Sequence, residues 1–164
     1  MEPNIKKVLV PVDFSDYSKS SLRYAVNFAK HFNADIYLVY VVEPMVYPPD
    51  FSMGQIAIPS VDIEMDKRAS EELNNLVKKE IPPEVKSKTI VKTGKPFVEI
   101  IETAAEEDID LIIIATHGHT GIEHVLFGST AEKVVRKAPC PVLTLREPIK
   151  GFEFKEGIRK EKEG

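Results

Sequence analysis

Short runs of apolar, mostly β-branched residues alternate along this chain with stretches whose apolar residues fall at helical spacing, and that alternation restricts the fold more than any other feature. Residues 8–12 read as a strand ending in a turn, and residues 13–21 then supply polar side chains able to cap a helix. Leu22, Ala25, Val26, Ala29 and Phe32 share one helical face while Arg23, Asn27 and Lys30 take the other, with an end expected near Asn33. Residues 36–42 form a nearly continuous apolar strand, the pattern of a strand covered on both faces of a parallel sheet. The first unit is therefore βαβ.

The same alternation continues to residue 145. Residues 44–59 hold several prolines and a glycine, a composition that reads as a long, mobile loop. A helix is expected over 62–80 from Ala69, Leu73, Leu76 and Val77, stopped by Pro82 and Pro83. A short strand, 88–92, precedes a turn at Gly94, Lys95 and Pro96. The helix that follows carries Phe97, Ile100, Ile101, Ala104 and Ala105 inward and Glu99, Glu102 and Glu106 outward. Leu111–Ala115 is the most apolar strand, a loop spans 116–127, and a helix over Ser129–Lys137 buries Ala131, Val134, Val135 and Ala138 before the last strand, Val142–Leu145. Right-handed crossovers between such units imply an α/β fold, a doubly wound five-stranded parallel sheet in the order 3-2-1-4-5 with about four helices.

At 164 residues the chain has the size of one domain, taken as 1–146, followed by a charged C-terminal tail, 147–164, with too little apolar surface to fold alone. A net charge of −4 offers no field that draws the molecule onto nucleic acid or an anionic membrane. No apolar run reaches the length of a membrane span, and residues 1–7 lack the apolar segment of a signal peptide, so export by that route is not expected. The single Cys140 excludes intramolecular disulfides and suits a reducing compartment, which makes the cytoplasm the expected location. Cys140, between two prolines, reads as a packing residue.

In open α/β sheets ligands sit at the carboxyl ends of the strands where the strand order reverses, here between the first and fourth strands. Two loops meet there. One ends in Pro11, Val12 and Asp13; the other runs Ala115-Thr116-His117-Gly118-His119-Thr120-Gly121 and closes at Gly128-Ser129-Thr130. Glycines admit a ligand close to the backbone, and a helix opening at Ser129 presents free N–H groups to an anion. This is neither a Walker motif, since no lysine follows the last glycine, nor the dinucleotide fingerprint, since the first turn has no glycine. An ordinary loop and helix cap is the competing interpretation, as a capping or turn role is for Asp13. His117, His119 and His124 crowd one loop, but no second cluster or nearby cysteine completes a metal site. Ser129 lacks the elbow and partners of a nucleophile, so no catalytic residue is assigned.

These residues resemble the universal stress proteins, specifically their ATP-binding branch, over about residues 6–146. The family's phosphate motif, Gly-x2-Gly-x9-Gly-Ser/Thr, has its counterpart in Ala115-Thr-His-Gly118, nine residues, then Gly128-Ser129. Val8-Leu-Val-Pro-Val-Asp13-Phe-Ser, Val39-Tyr-Val-Val42 and Ala138-Pro-Cys-Pro-Val-Leu are also similar to family segments. The resemblance implies an adenine nucleotide alpha hydrolase-like fold and a small cytoplasmic ATP-binding sensor or regulator of the stress response. It implies further that Asp13 binds the ribose, that Val41 lies against the adenine, and that Pro11, Val12, Ile114 and Ala115 line the adenosine pocket. His117, Gly118, His119, Gly128, Ser129 and Thr130 fall to the phosphates, with Mg²⁺ or Mn²⁺ accompanying the nucleotide. A homodimer through Val142–Leu145 is implied as well. The sequence departs from the motif at Ala115, which replaces a glycine, and at His119, where many relatives carry Arg or Lys. Those departures favour a competing expectation, a dimeric interaction module whose nucleotide site is vestigial. A third, an enzyme acting on an adenylated or phosphorylated small molecule, needs a catalytic group that the sequence does not offer.

Overall fold

A computed structural model describes residues 4–44, 59–117 and 127–146. The elements are β1 (Lys7–Pro11), α1 (Asp16–Phe32), β2 (Asp35–Val42), α2 (Pro59–Glu80), β3 (Ser87–Thr93), α3 (Pro96–Glu106), β4 (Leu111–Ala115), α4 (Ser129–Lys137) and β5 (Val142–Leu145). The five strands form one sheet in the order β3-β2-β1-β4-β5, with every pairing parallel. The expected fold and strand order are therefore observed. The proline-rich loop, apart from its two ends, and the tail 147–164 lie outside the described residues.

Alternation along the central strands splits the core into two layers. Val8, Val10, Leu38 and Ile113 turn toward α1 and α2, where they meet Leu22, Ala25, Val26, Leu73 and Leu76. Leu9, Val39, Ile112 and Ile114 turn the other way, onto Ile100 and Ala104 of α3 and Ala131 and Val134 of α4. Leu9, Leu22, Ile36, Leu38, Leu73, Ile112 and Ile113 are fully buried, and each contributes roughly 1.5–3 kcal/mol of apolar transfer free energy.

Three expectations about packing and boundaries are corrected. Val135 is 45% exposed because α4 lies over the sheet edge and buries a stripe narrowed to Ala131 and Val134. Ala105, in the last turn of α3, is exposed too. Helix α2 begins at Pro59 rather than near residue 62; a proline in the first turn loses an N–H that no helical carbonyl needed.

Candidate functional site

The carboxyl ends of β1, β2 and β4 open into a cleft of about 490 Å³. Pro11, Val12, Asp13, Val41, Ile114, Ala115, His117, Gly128, Ser129 and Thr130 all line it, so every candidate residue within the described part of the chain converges on one place. Gly118 and His119, together with His124, fall outside the described residues.

The β1–α1 turn is built to hold Asp13. Val12 still donates its N–H to the Val39 carbonyl at 2.9 Å, after which Phe14 adopts a left-handed conformation, φ 62°, that reverses the chain. A phenylalanine there costs about 1–2 kcal/mol. Two features offset that cost: the Phe14 ring lies 4.8 Å from the Tyr40 ring, and Asp13 Oδ1 accepts the Ser15 N–H at 3.0 Å and the Ser15 hydroxyl. Ser15 in turn caps α1 by accepting the Ser18 N–H at 3.2 Å. Asp13 thus serves the turn while its side chain borders the cleft.

Across the cleft, β4 runs into Thr116, which is buried and donates its N–H to the Leu145 carbonyl at 2.9 Å. Its carbonyl accepts the Gly128 N–H at 2.7 Å, which stitches the two ends of the 116–128 loop together. A Cβ on Gly128 would stand 3.1 Å from that carbonyl oxygen, closer than ordinary side-chain contact. Gly128 is the N-cap residue of α4, and among the described residues no side chain caps this helix. Ser15 closes α1, whereas α3 also lacks a side-chain cap but has Pro96 removing a donor from its first turn. The α4 N-terminus therefore presents its backbone donors, with their partial positive charge, to the cleft. His117 Nδ1 lies 2.9 Å from Thr116 Oγ1, and its ring packs 5.7 Å from Tyr17.

The family model for the universal stress protein family matches residues 4–146. Universal stress protein MJ0531 of Methanocaldococcus jannaschii is 39% identical over 149 residues, covering 88% of this chain and 84% of that protein. The chain belongs to the universal stress protein family. Universal stress protein UspA from Lactobacillus plantarum superimposes with a TM-score of 0.68 at 29% identity, covering 86% of this chain and 97% of that one. Two family structures were solved with adenine nucleotides. One is in complex with cAMP, at 24% identity and a TM-score of 0.55, covering 85% of this chain and 95% of its own. The other, from Archaeoglobus fulgidus, is in complex with dAMP, at 23% and 0.57, covering 87% and 98%.

In this universal stress protein the cleft lining combines an apolar wall of Val39, Val41, Ile100 and Ile114 with polar groups from Asp13, Thr116, Gly128, Ser129 and Thr130. Tyr40, Glu43, Met65, Ile100 and Ala131 are among the lining residues that sequence reasoning missed. Tyr40 and Glu43 flank Val41 at the end of β2 and were available to a strand-end argument; Met65 depends on how α2 packs and carried no local signal. Burial, and then the negative charges of Glu72, Asp13 and Glu43, push the Tyr40 phenol above its ordinary pKa, so it stays a protonated donor at neutral pH. Cys140 is half-buried against the α3–α4 layer. Burial, followed by the Asp110 charge, pushes its thiol up, which suits packing rather than reactivity. Among the described residues no group of three or more His, Cys, Asp and Glu could hold a metal ion, and no helix is long and apolar enough to cross a membrane.

Proposed function

We propose that this protein is a nucleotide-binding regulator of the stress response that takes ATP, accompanied by Mg²⁺ or Mn²⁺, into the cleft at the ends of β1, β2 and β4. The observation that carries this reading is the uncapped N-terminus of α4, which opens into the same cleft as Asp13 and the apolar wall. Val39, Val41, Ile100 and Ile114 suit a flat apolar base, the Asp13 carboxylate at the cleft border suits a ribose hydroxyl, and Ser129 and Thr130 suit phosphate oxygens. The adenine nucleotides in the cAMP and dAMP complexes belong to those proteins; they make this ligand class the first to test. Binding, with slow hydrolysis at most, is the mechanism, and ATP occupancy alters the protein's shape or partners in the cytoplasm.

A homodimer through Val142–Leu145 belongs to the same proposal. β5 is a sheet edge with half-buried apolar residues and pairs with β4 on its other side, an arrangement that a second copy would cover. Sedimentation at micromolar concentration is expected to give a dimer, and a monomer would remove strand pairing from the reading.

The competing reading, a dimeric interaction module with a vestigial site, is favoured by the commitment of Asp13 Oδ1 to Ser15 and by Ala115, whose methyl group borders the cleft. The deciding experiment is mass spectrometry of small molecules released on denaturing the freshly purified protein, followed by ATP titration of the stripped protein with and without Mg²⁺. Retained or micromolar ATP supports the nucleotide-binding reading; no nucleotide and no binding up to millimolar ATP transfers the function to the interaction surface.

A further inference from the structure

Helix α2 outruns the strand it lies beside. The Thr93 hydroxyl donates to the Asp66 carboxylate at 3.5 Å and the Thr89 hydroxyl to the Asn74 side-chain oxygen at 3.4 Å, so α2 descends antiparallel to β3. The two spans agree, since residues 66–74 rise about 12 Å along a helix and residues 89–93 about 13 Å along a strand. Asp66 is thus level with Thr93, the last residue of β3, which pairs in register with Val42 of β2 in the cleft lining. Residues 59–65 of α2 stand past that level, over a length of about 10 Å.

Below Asp66 the helix is anchored: Ala69, Leu73 and Leu76 are buried, and Glu80 pairs with Arg23 at 2.8 Å. The same stripe continues upward, one turn beyond Ala69, to Met65. Glu64, Asp66, Lys67 and Arg68 are exposed, whereas Met65 is half-buried and lines the cleft. Among the described residues Met65 is the contribution of α2 to that lining. The Glu64–Arg68 pair, 3.9 Å apart with both side chains largely exposed, adds little hold to this turn.

We propose that Met65 is the contact through which the base of a bound nucleotide ties the first two turns of α2 to the cleft. This rests on the adenine-nucleotide reading above and adds the element that responds to occupancy. A thioether needs no hydrogen-bond partner and packs well on an aromatic ring, and Val39 and Val41 offer apolar surface in the same cleft. A ring seated against Met65 supplies an apolar contact where the helix has passed the end of β3, so local opening of α2 above Ala69 becomes linked to ligand release.

The test is amide hydrogen exchange of the full stripped chain, free and saturated with AMP, a ligand that carries both base and phosphate. AMP is expected to slow exchange of amides 60–68 at least about fivefold, together with slowing at 111–117 where β4 meets the cleft. In Met65→Ala the slowing at 111–117 should remain and most of that at 60–68 should vanish, with AMP affinity lower by about fivefold; Met65→Leu should restore both. AMP that binds and slows 111–117 without slowing 60–68 overturns the proposal and leaves nucleotide binding standing. A Met65→Ala protein in which exchange at 60–68 is faster overall but is slowed by AMP as much as in the parent overturns it too, because Met65 then serves the helix alone. Absence of AMP binding to the parent removes the nucleotide reading, and the proposal with it.

Discussion

An aspartate at position 128 should separate the stability of the α4 N-terminus from its capacity for anions. Gly128 has φ −67° and ψ 152°, a conformation open to any L-residue, so Gly128→Asp adds no backbone strain. Its carboxylate would cap α4, gaining a few tenths of a kcal/mol over glycine, and would add about 0.3–1 kcal/mol by complementing the helix dipole. Against this, the new Cβ starts 3.1 Å from the Thr116 carbonyl oxygen. That oxygen cannot retreat freely, because Thr116 is pinned through its N–H to Leu145 and through the same carbonyl to Gly128. A cost of about 1 kcal/mol is reasonable for such crowding, so the terms nearly cancel and Tm should stay within about 4 °C of the parent. Ligand binding changes far more. The carboxylate would occupy the donors that a phosphate needs, and two unit charges about 5 Å apart repel by about 3 kcal/mol at an effective dielectric of about 20. Affinity for AMP should fall more than about 100-fold by calorimetry. Gly128→Asn, with the same shape and capping ability but no charge, should lose distinctly less. A Gly128→Asp protein that melts like the parent and binds AMP equally well would refute the assignment of α4 as the phosphate end.

The other predictions concern the opposite wall and the core. Asp13→Ala should weaken nucleotide binding at least about tenfold by calorimetry and cost about 1 kcal/mol of stability in urea, because Ser15 loses its acceptor; Asp13→Asn, which retains an acceptor oxygen, should recover most of the stability. Thr103 is fully buried and its hydroxyl has no hydrogen-bond partner among the described residues, so Thr103→Val should raise stability by about 1 kcal/mol in the same urea titration. The Arg23 side chain donates two hydrogen bonds to Glu80, at 2.8 and 3.0 Å, and these bonds hold the Glu80 carboxyl below its ordinary pKa. A depressed folded-state pKa stabilises above the unfolded value, about 4.3, and that stability fades as pH falls through the lower folded value. Glu80→Gln should therefore lower the neutral plateau slightly and flatten the acid limb of a stability-against-pH curve, with little change at the acid end.

How much of this was legible in the sequence follows from which interactions are local. The alternation of residues 36–42 and 111–115 with helical stripes is a property of consecutive residues, and it led to the observed strand order through the handedness of crossovers. Val135 misled because i, i+3, i+4 spacing says which residues share a stripe, not how wide a partner that stripe meets at a sheet edge. The start of α2 was missed because proline was treated as a breaker at the one end of a helix where it is tolerated. At the site, the motif spacing identified Gly128, but the reason a glycine stands there, the close Thr116 carbonyl, is a contact between residues twelve apart that the spacing alone does not contain.

The same separation explains why the two walls of the cleft respond differently to substitution. Asp13 is both a structural acceptor and a border of the cleft, so its replacement confounds folding with binding, and only the asparagine variant disentangles them. The α4 terminus has no such double duty: it stands without a side-chain cap, although serine or threonine at position 128 would have supplied one. An N-terminus left open beside the buried Thr116 gives up helix stability of about a few tenths of a kcal/mol relative to a serine cap. It also keeps clear the space that a capping side chain would fill. If stability alone shaped this position, Gly128→Ser would lower stability in urea and leave AMP binding unchanged. A variant at least as stable in urea yet weaker in AMP binding would show that the open end is kept for a ligand, and a variant less stable in urea that binds AMP equally well would assign the glycine to the crowding at Thr116 alone.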